Sequence, residues 1–193
     1  MKVLILGGTL FVGKHFVNYL KDKNYDVTLA NRGISGKADI KIDRNNSNTC
    51  KNLNNNYYDI IIDFSCYNLD QLTNVLSYVK FYKYIFISTS GVDFLPFHNV
   101  APEYYEMAMY IFNKKKCEDY ILKNIFNYTI IRPCYIVGDG DYTNRFYKNE
   151  NKYYWNNGQE LTFYIEVNQM SELIFNTFNN TKNSIISPCK ESN

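Results

Sequence analysis

The chain has 193 residues, a length that suits one domain with a full core or one domain with a small appendage. Its 21 basic and 19 acidic residues leave a formal net charge of +2, and the basic residues form no stripe of the kind that binds a phosphate backbone. Nucleic acid is therefore not the expected partner.

The five cysteines are odd in number and widely spaced, and no two of them form a CxxC pair. This pattern indicates neither a disulfide framework nor a zinc site, and we expect most of the cysteines to be reduced and buried. The apolar run at residues 3–6 is too short for a secretory signal, and no stretch approaches a membrane-spanning length. We therefore expect a cytoplasmic protein with no membrane partner and no metal.

Short apolar runs alternate with amphipathic stretches over the first 135 residues, which is typical of βαβ units around a parallel sheet. Strands are predicted at residues 2–6, 26–30, 38–42, 59–64, 84–87 and 128–132, and helices at 11–23, 68–80 and 102–123. The continuous Ile, Val and Leu content of the strands indicates a sheet covered on both faces. The expected fold class is α/β, a Rossmann-type doubly wound parallel sheet.

Residues 136–193 have a less regular pattern, with a strand predicted at 160–167, a helix at 168–178 and a short strand at 185–186. Ligands of open α/β sheets bind at the carboxyl ends of the strands. We therefore expect this extension to pack on the same domain as a short substrate-side lobe. Residues 1–135 are then the dinucleotide-binding domain.

The first predicted strand runs directly into a glycine-rich turn and then into a helix. Gly7 permits a tight turn and Gly13 a close approach of helix and strand, although Leu10 stands where a middle glycine is usual. The free N–H groups and the positive dipole end of the helix face this turn, which predicts a site for a pyrophosphate. A plain strand-to-helix turn is the alternative, and the position at the first βα junction favours the phosphate site.

The residues after the second strand, Ala30-Asn31-Arg32-Gly33, bear on the choice of cofactor. An Asp or Glu here would accept hydrogen bonds from a free adenosine ribose, but this segment has no carboxylate. The planar guanidinium of Arg32 suits a phosphate instead, so NADP is favoured and NAD remains the alternative. Arg32 as a solvated loop residue is the other interpretation.

Tyr110 and Lys114 lie four residues apart in the third predicted helix, so their side chains share one face. An ammonium near a phenol stabilises the phenolate and lowers its pKa from about 10, which makes the tyrosine a general base. A hydroxyl of Ser88 or Thr89, at the end of the preceding strand, is expected to orient the substrate oxygen. The same spacing recurs at Tyr19, so it is the position after this strand that singles out Tyr110.

Together these features resemble the extended short-chain dehydrogenase/reductase superfamily, in particular its NAD(P)-dependent epimerase/dehydratase branch. The segments that carry the resemblance are KVLILGGTLFVGKH at 2–15, NRG at 31–33, DIIIDF at 59–64, ISTS at 87–90, IRP at 131–133 and GDGD at 138–141, with Tyr110, Lys114 and Glu118. The turn without a middle glycine, followed by NRG, is most similar to a subgroup that includes chloroplast stem-loop-binding proteins.

The resemblance implies an enzyme and assigns a role to each matching residue. The implied cofactor contacts are Gly7, Thr9, Leu10, Phe11, Val12 and Gly13 at the phosphates, Arg32 at the ribose phosphate, Asp43 beside the adenine, and Lys114 and Pro133 at the nicotinamide end. The implied catalytic residues are Tyr110 as base, Lys114 and Thr89, and the implied substrate contacts are Ser90 and Arg145.

Two departures from the family pattern narrow the implied function. Ser90-Gly91 replace the Asp-Glu that dehydratases place after the threonine, which argues against sugar dehydration, and about fifty residues after Gly140 leave a short substrate lobe. We expect an NAD(P)-dependent epimerase or reductase that acts on a hydroxyl or carbonyl of a sugar or nucleotide sugar. A catalytically silent NADP-binding regulator is the alternative, and RNA binding, suggested by the chloroplast relatives, is a third.

The resemblance also implies a homodimer formed through the helix predicted at 102–123. Four of its residues, Met107, Ile111, Cys117 and Ile121, are expected to offer an apolar surface beyond what one sheet face buries.

Overall fold

The computed structural model describes residues 1–94, 101–180, 182–188 and 190–191. Its strands are β1 (Lys2–Leu6), β2 (Asp26–Asn31), β3 (Ile40–Lys41), β4 (Tyr57–Asp63), β5 (Lys80–Ile87), β6 (Tyr128–Ile131), β7 (Tyr135–Val137), β8 (Phe146–Asn149), β9 (Lys152–Trp155), β10 (Phe163–Glu166), β11 (Ser184–Ile186) and β12 (Lys190–Glu191). Its α-helices are α1 (Phe11–Asp22), α2 (Ser47–Cys50), α3 (Leu69–Leu76), α4 (Tyr105–Asn124) and α5 (Val167–Asn176). Short 3₁₀ turns span Lys51–Leu53, Ser90–Phe94 and Pro102–Tyr104.

The main sheet has seven strands in the order β3-β2-β1-β4-β5-β6-β11, and every neighbouring pair is parallel. From β1 the chain first builds outward through β2 and β3, and it then returns to add β4, β5 and β6 on the other side. The strand order therefore reverses between β1 and β4, and this is where open α/β sheets form a ligand crevice. The predicted Rossmann fold is confirmed.

Helices cover both faces of this sheet, which explains why its strands are continuously apolar. On one face, α1 and α5 pack through a cluster that includes Phe16, Leu20, Ile62, Ile174 and Phe178. On the other face, α3 and α4 pack through a cluster that includes Leu4, Leu72, Val75, Phe86 and Ile121. The ends of the strands are thus the part of the sheet that remains open to a ligand.

The predicted helix at 68–80 is wrong at its carboxyl end, because α3 ends at Leu76 and β5 begins at Lys80. Val79 is buried in the same core cluster as Leu72 and Val75, so the helical spacing continues past the end of the helix. An apolar spacing that reflects burial in one core cluster was therefore predicted as a longer helix. The sheet gains four residues of β5 that were predicted as helix or left unassigned.

The carboxyl-terminal extension contains strands that the sequence pattern did not reveal. The segment β7 pairs in parallel with β10, and β8 pairs with β9 in an antiparallel hairpin. The aromatic pair Phe146 and Trp155 stands at facing positions of the hairpin, with ring centroids 4.8 Å apart. The extension also returns to the main sheet, where β11 pairs with β6, and α5 packs beside α1. It therefore supplies part of the Rossmann layers as well as residues at the ligand end.

The prediction for the cysteines is confirmed in part. Cys50, Cys66 and Cys117 are free and buried, as expected. The expectation is wrong for Cys134, which is disulfide-bonded, because pairing depends on a fold that brings distant thiols together and not on their spacing in the sequence.

The expected apolar surface for a homodimer is largely wrong. Ile111, Cys117 and Ile121 are buried in this chain, since α4 turns them toward its own sheet, and Met107 alone of the four is exposed. The homodimer stays a prediction that rests on resemblance.

The aromatic cluster between α1 and α5 generates a stability prediction. The Phe16 ring is fully buried and contacts the rings of Tyr19, Phe64 and Phe178. We expect Phe16→Ala to lower the free energy of unfolding by about 3–5 kcal/mol, because it removes buried area and leaves a cavity. Phe126→Ala is the matched control, since that ring is 94% exposed, and we expect a change within about 0.5 kcal/mol. Equal losses in urea denaturation would contradict this account of the core.

Candidate active site

A cavity of about 1200 Å³ lies at the carboxyl ends of the central strands. Its walls are formed by residues that follow β1, β2, β4, β5 and β6, together with α4 and part of the extension. Every residue that the resemblance implied as a cofactor, catalytic or substrate contact lines it: Gly7, Thr9, Leu10, Phe11, Val12, Gly13, Arg32, Asp43, Thr89, Ser90, Tyr110, Lys114, Pro133 and Arg145. Ligand pockets commonly measure roughly 300–1,000 Å³, so there is room for a large ligand or for two ligands together.

The turn between β1 and α1 has the geometry of a phosphate cradle. Gly7 has φ +85°, and a Cβ there would lie 2.6 Å from that of Ser65, so a side chain is excluded twice. A Cβ on Gly13 would lie 2.2 Å from the carbonyl oxygen of Gly7, so only a residue without a Cβ lets α1 approach the turn this closely. Leu10 caps the helix without a side-chain hydrogen bond, and its first turn has no acidic residue. Backbone N–H groups and a positive dipole end are therefore available to an anion.

The end of β2 presents Arg32 to the same cavity. The side-chain oxygen of Asn31 accepts a hydrogen bond of 2.7 Å from the Gly33 N–H and shapes the turn, which places Gly33 at φ +73°. Arg32 is exposed and lines the cavity. Asp43 also lines the cavity, and its carboxylate accepts a hydrogen bond of 3.0 Å from the Asn45 N–H. A cation and a carboxylate thus lie at the end of the cavity formed by β2 and β3.

A buried ion pair beneath the cavity was not predicted. The guanidinium of Arg44 donates two hydrogen bonds to the carboxylate of Asp63, at 2.7 and 2.5 Å, and a third of 3.2 Å to the hydroxyl of Ser65. The hydroxyl of Tyr84 donates to the same carboxylate at 2.6 Å. Burial by itself would raise the pKa of Asp63, but Arg44 outweighs burial and lowers it. The pair is therefore ionised and connects β3, β4 and β5.

The sequence contained one signal for this pair. Asp63 ends an otherwise apolar run, and a carboxylate that is buried in a parallel sheet requires a partner. The partner lies nineteen positions earlier, and no periodic pattern relates the two residues.

Tyr110 and Lys114 both face the cavity, as their spacing predicted. The Lys114 ammonium lies 5.7 Å from the centroid of the Tyr110 ring and donates a hydrogen bond of 2.7 Å to the carbonyl oxygen of Ile87. Burial lowers the pKa of Lys114. Burial also raises the pKa of Tyr110 to about 12, with a further increase from Tyr67 and an opposing effect of Arg145.

The expected lowering of the Tyr110 pKa is therefore not found in the protein alone. The reason is geometric, because the Lys114 ammonium forms its hydrogen bond with a backbone carbonyl and the phenol ring is largely withdrawn from water.

The two hydroxyls at the end of β5 have different surroundings. Ser88 is buried, and its hydroxyl donates a hydrogen bond of 2.5 Å to Glu118. Glu118 also accepts two hydrogen bonds from Arg132, at 3.1 and 2.5 Å. The proton of Ser88 is therefore already engaged, and the expectation that Ser88 or Thr89 orients a substrate stays a prediction. Thr89 lines the cavity, and its hydroxyl accepts a 3.3 Å hydrogen bond from the Gly91 N–H.

Gly91 explains one departure from the family pattern. A Cβ at this position would lie 2.6 Å from Cδ1 of Ile111 on α4. A glutamate side chain at position 91 would therefore require the Ile111 side chain to move.

Arg145 is held over the cavity by a short polar loop. The carboxylate of Asp141 accepts hydrogen bonds from the N–H of Thr143, at 2.9 Å, and from its hydroxyl, at 2.6 Å. The Thr143 hydroxyl in turn accepts a 3.0 Å hydrogen bond from Nε of Arg145. The Nε2 atom of His15 on α1 lies 2.6 Å from the carbonyl oxygen of Asp139, which joins this loop to the first helix.

A sequence profile of the NAD dependent epimerase/dehydratase family matches residues 3–82. This match confirms the resemblance to that family. The matched segment contains the glycine turn, Arg32 and Asp43, and it supports a nicotinamide dinucleotide as the cofactor. The geometry fits such a cofactor, because the uncapped helix and glycine turn suit its phosphates. No curated protein matches the chain in sequence.

Several solved structures share the fold. An anaerobillin reductase from Escherichia coli O157:H7 has a TM-score of 0.70 at 13% identity, with 100% of this chain and 98% of that chain covered. The oxidoreductase ylbE from Lactococcus lactis has a TM-score of 0.65 at 19% identity, with 100% of this chain and 91% of that chain covered. The UDP-N-acetylglucosamine 4-epimerase from Bacillus cereus has a TM-score of 0.66 at 15% identity, with 100% of this chain and 80% of that chain covered. At these identities the likeness establishes the fold alone.

Two further features concern the described part of the chain. None of its helices is both long and apolar enough to cross a membrane. No group of three or more His, Cys, Asp or Glu residues in the described ranges is arranged to hold a metal ion.

The Arg44–Asp63 pair generates a pH-dependent prediction. We expect Arg44→Met to destabilise the protein by about 3–5 kcal/mol at pH 7, because it leaves the Asp63 carboxylate buried without a partner. In the wild type the pKa of Asp63 is lowered, so its stabilising effect is present above the unfolded pKa of about 3.9 and is lost as the pH falls through the folded pKa. The difference between variant and wild type should therefore shrink below about pH 4.

Urea denaturation between pH 3 and 8 checks this prediction. Lys115→Met is the control, because its ion pair with Asp119 is exposed and contributes about 0–1 kcal/mol. A deficit of Arg44→Met that stays constant down to pH 3 would show that the lost charge pairing is not its cause.

Proposed function

We propose that this protein is an NAD(P)-dependent oxidoreductase that transfers hydride between the nicotinamide and a carbonyl or hydroxyl group of a small substrate. The observation that carries the proposal is that one cavity contains both the glycine turn at the start of α1 and the Tyr110–Lys114 pair of α4. The family match to the first part of the chain supports an enzyme of this general kind. The roles of individual residues are part of the proposal.

Each element of the cavity has a separate task in this mechanism. The glycine turn and the first N–H groups of α1 bind the pyrophosphate, and Arg32 binds the adenosine end. When bound, the nicotinamide donates or accepts the hydride, which no side chain of the protein can supply. Pro133 packs against the nicotinamide, and Lys114 binds the neighbouring ribose. Thr89 and Ser90 orient the substrate oxygen beside Tyr110.

Tyr110 transfers the proton. With a pKa raised to about 12 it is protonated at neutral pH, so it donates its phenolic proton to the carbonyl oxygen as hydride reaches the carbonyl carbon. The carbonyl is reduced to an alcohol and the phenolate that forms lies near the Lys114 ammonium. In the opposite direction the phenolate removes the proton of a substrate hydroxyl. In the protein alone, Tyr110 is therefore already in the protonation state that reduction requires.

Epimerisation of a sugar or nucleotide sugar is the second candidate. The family match favours it, and Arg145 offers a cation for a diphosphate. The short extension favours reduction instead, because this chain covers 98% of the anaerobillin reductase but 80% of the UDP-N-acetylglucosamine epimerase. Dehydration is not proposed, since Gly91 occupies the position of the acidic residue.

The assignment of Tyr110 is tested with Tyr110→Phe. Phenylalanine keeps the ring and deletes the proton, so we expect turnover to fall by about 10²–10⁴ while cofactor affinity is retained. The control is Tyr19→Phe, which alters a tyrosine that also precedes a lysine by four positions but lies outside the cavity lining. Turnover is followed by NAD(P)H absorbance with simple carbonyl compounds, and by product analysis with UDP-glucose for epimerisation.

Three results would bear directly on the alternatives. Full activity of Tyr110→Phe would remove Tyr110 from the mechanism. Conversion of UDP-glucose to an epimer without net cofactor oxidation would favour the epimerase. Tight cofactor binding with no turnover of any substrate would favour a regulatory protein without chemistry.

The cofactor preference is tested at Arg32. We expect wild type to bind NADP more tightly than NAD, and Arg32→Ala to lose about tenfold or more in NADP affinity while NAD affinity changes little, because a charge-assisted pair contributes roughly 1.5–3 kcal/mol. Lys37→Ala is the control, since Lys37 is on the same loop, exposed and outside the cavity lining. Calorimetric titration that found equal affinities in wild type would refute the preference.

A further inference from the structure

Exposed aromatic and apolar side chains line the substrate end of the cavity. We define it as the part formed by the ends of β5 and β6, by α4 and by residues 134–163. Tyr142 is 63% exposed, Phe163 48% and Tyr135 38%, and Met107 on α4 is 58% exposed. All four line the cavity. Clustered large side chains of this kind on a concave surface indicate a ligand with apolar, flat faces.

The two carboxylates at this end of the cavity are already engaged. Asp93 forms an ion pair with Arg132 and accepts a 3.2 Å hydrogen bond from the hydroxyl of Ser187. Asp141 accepts both hydrogen bonds of Thr143. Neither carboxylate is therefore arranged to bind the hydroxyls of a sugar without losing an existing partner.

Arg145 is the exposed cation among the described residues of the substrate end. Its Nε donates to Thr143, its guanidinium lies 5.1 Å from the centroid of the Phe146 ring, and within the described ranges its two terminal nitrogens have no hydrogen-bond partner. Arg145 and Tyr110 both line the cavity, and the charge of Arg145 opposes the burial effect that raises the pKa of Tyr110. A terminal pair of N–H donors in a plane fits one carboxylate.

This arrangement suits a substrate with one anionic group and an apolar face. Within the described ranges Arg145 is the exposed cation of the substrate end, and exposed aromatic rings line it beside the hydroxyls of Thr89 and Ser90. A diphosphate with a sugar ring would draw on more charged partners than this one cation. Rings with conjugated faces stack on Tyr and Phe and gain energy beyond their buried area.

We propose that the substrate is a planar, conjugated carbonyl compound that carries a carboxylate. Its flat face packs against Tyr135, its carboxylate binds Arg145, and its carbonyl oxygen lies at Tyr110. The inference rests on the proposed oxidoreductase function and narrows it to one substrate class. In this reduction, the carbonyl carbon receives hydride from NAD(P)H and the carbonyl oxygen receives the proton of Tyr110.

The chain contains an internal probe for this site. Trp155 is the single tryptophan of the sequence, and its ring centroid lies 4.8 Å from that of Tyr135. A conjugated ligand on Tyr135 should therefore quench tryptophan fluorescence. Binding is measured in the presence of NADP with 6-formyl-2-naphthoic acid, with uncharged 2-naphthaldehyde, and with UDP-glucose as a competitor. Turnover of the same compounds is measured with NADPH and with NADH.

We expect the naphthoic acid to bind at least tenfold more tightly than the uncharged aldehyde, and UDP-glucose to displace it weakly. Arg145→Met should abolish the tenfold difference, and Tyr135→Ser should weaken the binding of both aldehydes. The controls are Lys148→Met and Tyr147→Ser, exposed residues on the same hairpin that lie outside the cavity lining. Both controls should bind as wild type does.

The outcomes separate this inference from the proposed function. Equal affinity for the two aldehydes, retained affinity in Arg145→Met, or tight competition by UDP-glucose would overturn the substrate class. Turnover of UDP-glucose without binding of the naphthoic acid would overturn it as well and leave the oxidoreductase proposal intact. Binding that depends on Arg145, with no NAD(P)H oxidation by any carbonyl tested, would support the ligand class and contradict the oxidoreductase.

Discussion

The ion pair of Arg44 and Asp63 is the constraint on which the cavity depends. It joins the loop after β3 to the end of β4, and Tyr84 brings β5 to the same carboxylate. Arg44 also donates to Ser65, whose side chain fills the space that a Cβ on Gly7 would need. One buried charge pair therefore sets the spacing of three strand ends and of the phosphate turn. Because either charge alone would be buried without a partner, the arrangement holds only as a unit.

A polar stripe on α4 fixes the other wall of the cavity. Tyr110, Lys114 and Glu118 follow one another at intervals of four, so they lie on one face of the helix. Glu118 binds Arg132 at the end of β6, and Lys114 binds the backbone carbonyl of Ile87 at the end of β5. Two buried charges thus hold α4 against two strand ends, and Tyr110, one turn further toward the amino terminus, is carried to the cavity. The spacing that predicted a catalytic pair also describes how the helix is anchored.

The sequence predicted what local pattern and chain order determine. The apolar runs of β1, β4 and β6, the glycine turn and the facing of Tyr110 and Lys114 all depend on neighbouring residues. The sequence did not predict the Arg44–Asp63 pair, because long-range pairing leaves no periodic trace. It also missed the hairpin of β8 and β9, since those strands are four residues each and are held by aromatic contacts such as Phe146 with Trp155. Burial of Ile111 and Ile121 likewise depended on which way α4 faced.

The protonation state of Tyr110 links this architecture to the proposed chemistry. Packing α4 against the strand ends withdraws the phenol from water, and burial raises its pKa to about 12. A phenol with such a pKa holds its proton at neutral pH and can give it to a carbonyl oxygen that becomes more basic as hydride arrives. Removal of a proton from an alcohol would need the phenolate, which burial disfavours, and the Lys114 ammonium at 5.7 Å from the ring centroid is the charge that would stabilise it. The same burial that anchors α4 therefore also sets the protonation state of the phenol that the proposed chemistry uses.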